Sequence, residues 1–325
     1  MRHLTILYII GAALLLPHVG MACDFCNCLL GINPYYSTQN TLTVSYLFQR
    51  SDHPIAHVHS ASSSALSLRK SAPLSLHHIN HGGEGDSVPT QESRHTIELA
   101  YRHHLTEDVL LTLLVPFSRT KQEKPSSSLT VMGSGDITLL GHYNLRLSES
   151  LGTRLMLLIG GGIVVPVGRT DARDAAGTLL DYRLQPGRGA VGFVTTATGI
   201  LQRESWTFGA DAFARWNTKT SAGNRLGHNF AATLAASREL LRDNPSLFAL
   251  VASVGGRLEY ASKDLLAGVP DATSGAAVFY LSAGVDAVYD FLRFELRTLV
   301  PVHQQRPEGG ANERARFMVG MRLLF

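Results

Sequence analysis

A chain of 325 residues, 45% hydrophobic, 17% charged and with a formal net charge of +3, is large enough for a sizeable domain and only mildly basic. It has no Lys/Arg-rich block and no RNA-binding aromatic motif, which argues against nucleic acid as a partner. Past residue 22 there is no run of about 18 apolar residues, so a transmembrane helix is excluded there and a membrane-spanning chain would have to be a closed β-barrel.

The N-terminus "MRHLTILYIIGAALLLPHVGMA" (1–22) reads as a secretory signal, with Arg2 and His3 before an apolar run and the small residues Gly20 and Ala22 near its end. Every cysteine follows at once in "ACDFCNC": Cys23, Cys26 and Cys28. Cleavage before Cys23 would leave it open to acylation, although Gly20 stands where lipoprotein signals usually carry an aliphatic residue. Three thiolates suit Cu(I) or Zn²⁺, and zinc would want a fourth ligand such as Asp24 or a histidine. Covalent haem needs histidine directly after the second cysteine, where Asn27 stands. An oxidising compartment favours a disulfide instead. Disulfide, soft-metal clamp and acylated Cys23 are the three readings of this periplasmic segment (23–39).

From Asn40 onward period-two alternation dominates, in segments of about ten to fourteen residues, the length of a tilted strand crossing a bilayer. Twelve such segments follow in order: 40–50, 94–104, 107–118, 135–147, 153–167, 190–202, 205–217, 228–240, 247–260, 275–288, 291–303 and 314–325. Short turns at 105–108, 148–152, 203–205, 242–246 and 289–291 alternate with long loops at 51–93, 119–134, 168–189, 218–227, 261–274 and 304–313. An even strand number and this asymmetry predict an all-β fold, an antiparallel transmembrane barrel of 12 strands with short periplasmic turns and long extracellular loops. In "SWTFGADAFARW" the two tryptophans bracket one apolar face, as interfacial girdles would. Phe325 looks like the C-terminal aromatic of bacterial outer-membrane proteins, and the barrel-assembly machinery is the partner that such a terminus implies.

The first long loop carries His53, His57, His59, His77, His78 and His81 in a Ser- and Gly-rich stretch. Imidazole is a common transition-metal ligand, so the loop could capture copper or zinc, alone or with the cysteines; the plainer reading is a polar extracellular loop. The strand charges Glu98, Arg102, His142, Arg146, Asp211, Arg215, Arg257, Glu259, Asp286, Arg293, Glu295, Arg297 and Arg322 fall opposite the apolar stripe. A cation facing lipid at mid-depth costs about 2–4 kcal/mol, so these residues are expected to line the lumen. They would either pair to fill it or act as a selectivity lining with a slight cationic excess.

The stretches "LLVPFSR", "GSGDITLLGHYNL", "GGGIVVPVGR", "LQPGRGAVGF" and "LVPVHQQ" follow one another as in a family of outer-membrane barrels described as transporters of the phenol-degradation meta-pathway, which the chain resembles over most of its mature length. The resemblance is more specific for fold than for function, and it implies an uptake or efflux channel for small solutes, aromatic or anionic, without naming one. In that pattern the Gly135-Asp136 pair and the Gly187-x-Gly189 pair mark where long loops enter strands. We read these glycines as backbone requirements, for positive φ at a bend or bulge. The cysteine cluster and the His-rich loop depart from the family pattern and leave a metal-binding surface protein, anchored by the barrel, as the alternative.

Enzymatic chemistry of the outer-membrane phospholipase type would need a serine activated by histidine on the lipid-facing surface. The strand histidine, His142, has Asn144 as its same-face neighbour and faces the lumen. No G-x-S-x-G elbow or phosphate loop occurs, so the expectation is a non-enzymatic channel that requires no cofactor. Its partners would be outer-membrane lipid and a small solute, and a periplasmic protein is a further candidate through the cysteines.

Overall fold

A bilayer offers no water to unpaired backbone groups, so strands that cross it must close into a ring. The computed structural model describes residues 39–53, 90–124, 127–150, 152–221, 223–244, 248–307 and 310–325. Their strands are β1 (Thr41–His53), β2 (Thr90–His104), β3 (Val109–Lys124), β4 (Ser127–Ser134), β5 (Ile137–Ser150), β6 (Thr153–Val165), β7 (Gly192–Arg203), β8 (Trp206–Asn217), β9 (Asn229–Asn244), β10 (Phe248–Ala261), β11 (Leu265–Leu266), β12 (Val269–Pro270), β13 (Ala276–Tyr289), β14 (Leu292–Gln305), β15 (Asn312–Glu313) and β16 (Arg316–Leu324).

Twelve of these form the ring β1-β2-β3-β5-β6-β7-β8-β9-β10-β13-β14-β16, antiparallel at each step. Pairing of β1 with β16, from Thr41↔Leu324 to Phe48↔Phe317, closes it. The fold is therefore a closed 12-stranded antiparallel barrel, and each of the twelve expected segments corresponds to one of its strands. No helix occurs among the described residues.

The alternation sorts side chains as the sequence pattern requires. On β8, Thr207, Asp211, Phe213, Arg215 and Asn217 are buried toward the interior while Trp206, Phe208 and Trp216 are exposed on the outside. At the turn end, tight connections hold Glu204 and Asp290 at φ 52°, the left-handed region that two-residue hairpins use. The loop end differs more from expectation. β3 runs to Lys124 and pairs with β4 through most of the expected loop 119–134, while β2 starts at Thr90 and a short β15 lies within 304–313. The apolar stripe stops where lipid stops, but hydrogen bonding does not, so hydrophobic periodicity undercounts strand length there.

The loop-end glycines work differently from the reading above. Gly189 does have φ +64°, whereas Gly135 and Gly187 do not lie in the positive-φ region. Their constraint is close approach: a Cβ on Gly187 would lie 2.4 Å from the carbonyl carbon of Gly168, and one on Gly135 would lie 2.9 Å from Cγ of Pro116. The contact is fastened by Asp136, whose carboxylate accepts from the backbone N–H of Gly168 and of Arg188, each at 3.0 Å. One buried side chain thus stitches β5 to both ends of the 166–191 loop.

Lipid exposure of the outer face gives a direct test. Val254, exposed at the middle of β10, is expected to destabilise the barrel by about 2–4 kcal/mol when changed to arginine and to tolerate leucine. Urea titration of the two variants refolded in liposomes measures the difference.

Candidate functional site

Among the described residues the polar chemistry at membrane depth gathers in the interior, and its two sides differ. Across seven consecutive strands, β2 to β9 with β4 left aside, inward-facing Ala100, Leu114, Leu140, Val164, Val194, Phe213 and Ala231 form one buried apolar cluster. An apolar stretch on the inner wall is not among the sequence expectations. Alternation marks inward positions by their charges alone and assigns hydrophobic residues to lipid.

The remaining wall, from β10 to β16, carries chained ion pairs beside a smaller buried cluster of Val278, Tyr280 and Leu299. On its turn side, Arg293 bonds Asp286 at 2.9 Å and approaches Glu295 at 3.1 Å. Arg322 meets the same Glu295 at 3.1 Å, and Arg297 reaches Asp286 at 3.4 Å. Nearer the loops, Arg257 bonds Glu259 at 2.7 Å, and Arg316 joins Glu259 at 3.0 Å to Glu313 and the Tyr280 hydroxyl. Glu313 also holds Arg306 at 2.7 Å and accepts from Gln49 of β1 at 2.9 Å. The arginine-to-carboxylate chain therefore ties β10, β13, β14, β15, β16 and β1 together from inside.

Of the sequence-derived interior set, Glu98, His142, Asp211, Arg215, Arg257, Glu259, Asp286, Arg293, Glu295 and Arg322 are buried, and Arg102 and Arg297 are partly so. Arg146 stands apart: it lies at the turn end of β5, well exposed, against Glu107 at 3.3 Å and Asp108 at 3.8 Å. A register shift on β5 just beyond it takes that end out of the enclosed region. Cys23, Cys26, Cys28, His57, His59, His77, His78 and His81 lie outside the described residues, as does the side chain of His53, the last residue of β1. Among the described residues no group of three or more His, Cys, Asp or Glu is placed to hold a metal.

Arg316, Glu313, Tyr280 and Arg306 complete the upper network without having been singled out. Parity could have found Arg316, which stands three inward positions before Arg322 on one strand, and Tyr280, which shares a face with Asp286. Glu313 sits outside any apolar pattern and gave no signal. At the mouth, Arg183 of the 166–191 loop bonds Asp264 at 3.1 Å and also pairs with Asp271, while Tyr182 donates to Asp264 at 2.7 Å. Arg94, inside on β2, donates to the backbone oxygen of Arg183 at 3.1 Å. The loop between β6 and β7 is thus fastened to the loop after β10 and to the inner wall.

No family model matches the chain, and no curated protein matches it. Among solved structures it is similar to an outer membrane channel from Pseudomonas putida F1, with 16% identity and a TM-score of 0.60 over 90% of this chain and 97% of that one. The chain is an outer-membrane β-barrel. Lower similarities are to the beta domain of a Bordetella autotransporter, with 13% identity and a TM-score of 0.44 over 88% of this chain and 99% of that one, and to the KdgM porin, with 9% identity and a TM-score of 0.40 over 86% and 99%. The apolar outer face and closed backbone place the barrel in the bacterial outer membrane, with short turns at one end and longer loops at the other.

Two predictions follow from the charged wall. Asp286→Ala takes away the buried carboxylate that Arg293 and Arg297 share, leaving Arg293 only Glu295, and is expected to cost about 3–5 kcal/mol, whereas replacing both Asp286 and Arg293 by leucine costs less; urea unfolding of the single and double variants separates them. At the mouth, burial pushes Glu313 up, but Arg316 and Arg306 outweigh it and hold the carboxyl down at about 2. A depressed carboxylate contributes stability above its ordinary value that is lost as pH falls through the folded value. The stability gap between the native barrel and Glu313→Gln should therefore shrink between pH 4.5 and about 2, as measured by unfolding across that range.

Proposed function

We propose that this barrel is a passive, non-enzymatic outer-membrane channel for small solutes that combine an apolar body with a polar or anionic head. The observation that carries the reading is the divided interior. An arc including Leu114, Leu140, Val164, Val194 and Phe213 faces a wall bearing Arg257, Arg293, Arg297, Arg316 and Arg322. An apolar body loses nothing by leaving water along the arc, and a head with acceptor oxygens meets guanidinium donors opposite. Four carboxylates on that wall, Glu259, Asp286, Glu295 and Glu313, balance most of the positive charge. Such a wall attracts an anionic group without trapping it, as conduction requires.

Catalysis of the Ser–His kind finds no support in the surroundings of His142. Its register neighbours are Leu110 and Gly160, and Asn144 follows it on the same face. A diffusive channel needs no cofactor, and the arginines do by hydrogen bonding what a bound metal would do elsewhere.

Planar-bilayer recording of the full chain and of a variant lacking residues 54–81 should give conductance steps in both. Arg297→Glu should shift the reversal potential toward cations, and Phe213→Asp should slow the flux of apolar-bodied solutes relative to that of chloride. No conductance or solute flux in either protein would overturn the channel reading.

A further inference from the structure

Around most of the extracellular rim the lipid-facing column of each strand ends in an aromatic side chain: Phe193 on β7, Trp216 on β8, Phe230 on β9, Tyr260 on β10 and Phe279 on β13, all exposed. The sector made by β16, β1, β2 and β3 is different, because β2 and β3 run further out. Register there aligns Phe317, Phe48, His95 and Arg119 in one row on the outward face, in which Phe317 is exposed and His95 is buried among its neighbours. The next row on the same face, two residues further from the bilayer centre, holds Arg50, Ser93 and Lys121. Arg314 extends this row, its backbone N–H donating to the oxygen of Arg50 at 2.8 Å.

Three cations, Arg50, Lys121 and Arg314, therefore stand directly beyond an aromatic row that ends in a fourth, Arg119, and all four face outward, away from the lumen. Two carboxylates accompany them: Asp52 holds Arg314 at 2.6 Å and Arg50 at 3.8 Å, and Glu123 pairs with Lys121. Arg119 has no ion-pair partner among the described residues, and Arg314 keeps 67% of its side chain exposed despite its contact with Asp52. Among the described residues the outward face of this sector carries an excess of two positive charges, four cations against two carboxylates, at the depth where an outward side chain meets lipid headgroups. Guanidinium groups match phosphate in a planar, two-bonded geometry. Neighbouring strands lie about 4.8 Å apart, so Arg50 and Lys121, two strands from each other, stand roughly 10 Å apart, close enough for one headgroup with two phosphates to touch both.

We propose that Arg50, Arg119, Lys121 and Arg314 form a binding site for the phosphate groups of an outer-leaflet lipid, the phosphorylated glucosamine headgroup of lipopolysaccharide. Asp52 is a positioning residue that turns two guanidinium groups toward the same headgroup. The site is independent of what passes through the lumen.

Native mass spectrometry of the full chain in detergent, titrated with bisphosphorylated lipid A, with dephosphorylated lipid A and with inorganic phosphate as competitor, tests the proposal. The native barrel should retain the phosphorylated lipid on the order of tenfold more tightly than the dephosphorylated one, as expected for an excess of two cations at an anionic surface. Millimolar inorganic phosphate should not displace it, because the acyl chains lie against the same wall. Changing all four residues to serine should abolish the preference, and Arg169→Ser with Arg173→Ser, which removes two exposed arginines of the 166–191 loop, should preserve it. If the quadruple variant does not fold, as judged by heat-modifiable gel mobility, Arg119→Ser removes a cation without breaking any ion pair and should still weaken the preference measurably. Equal retention of both lipids by the native barrel, full displacement by inorganic phosphate, or an unchanged preference in a folded variant would overturn the proposal.

Discussion

The constraint on which the rest depends is that no backbone group may face lipid unpaired. A single seam, β1 against β16, satisfies it for the whole sheet by joining the first membrane strand to the last. Closure forces an even number of antiparallel strands when both chain ends lie on one side, and it forces every side chain to point either to lipid or to the interior. Once that choice is binary, a charge can occupy only one of the two places. The arginine wall is thus a consequence of closure as much as of selection for a lumen.

Closure also fixes how the interior is filled. Long inward side chains cannot all point to the axis, and several lie flat over a glycine on the neighbouring strand. Gly284 faces Arg297 in register, where a Cβ would lie 2.8 Å from Ser253 Oγ and 3.0 Å from Arg297 Cγ, and Gly320 lies opposite Glu295. Gly160 sits between His142 and Thr196, and a Cβ there would come within 2.4 Å of the imidazole. These strand glycines weaken β-propensity locally, yet they let the two ion-pair layers and His142 pack against the wall. The Gly135, Gly168 and Gly187 contact at the rim follows the same logic with backbone in place of side chains.

Periodicity made the barrel legible. Twelve segments, their faces and the burial of most interior charges follow from a period of two and the cost of a charge in lipid. Legibility failed where those two signals end. β4 and β15 carry polar alternation outside the bilayer, so nothing apolar marks them. Asp136 was noticed beside a glycine, but its role as a double acceptor for Gly168 and Arg188 depends on two distant segments meeting. Pairings such as Arg316 with Glu259, 57 residues away, are set by strand order around the ring and leave no local trace. The apolar arc was missed for a different reason. Leu114, Leu140 and Val164 lie in segments where both faces are apolar, and alternation alone does not say which face is inside.

The energetics of this interior argue that it is more than a filled core. Replacing a buried ion pair by well-packed apolar residues is often neutral or stabilising, so a barrel selected only to be solid would extend its apolar arc around all twelve strands. Here the long arc stops at β9, and the opposite wall keeps its ion pairs beside only the small cluster of Val278, Tyr280 and Leu299. On the arc side itself, the ring nitrogens of His142 and the hydroxyls of Thr112 and Thr196 are buried without a hydrogen-bond partner among the described residues. Each such group costs about 1–3 kcal/mol relative to a satisfied one. A dry, permanently closed interior would carry that cost for nothing, whereas an interior that polar groups enter in passing regains it whenever they arrive. The polar groups beside His142 and the ionised wall opposite both suit the proposed channel, whose lumen polar groups would enter.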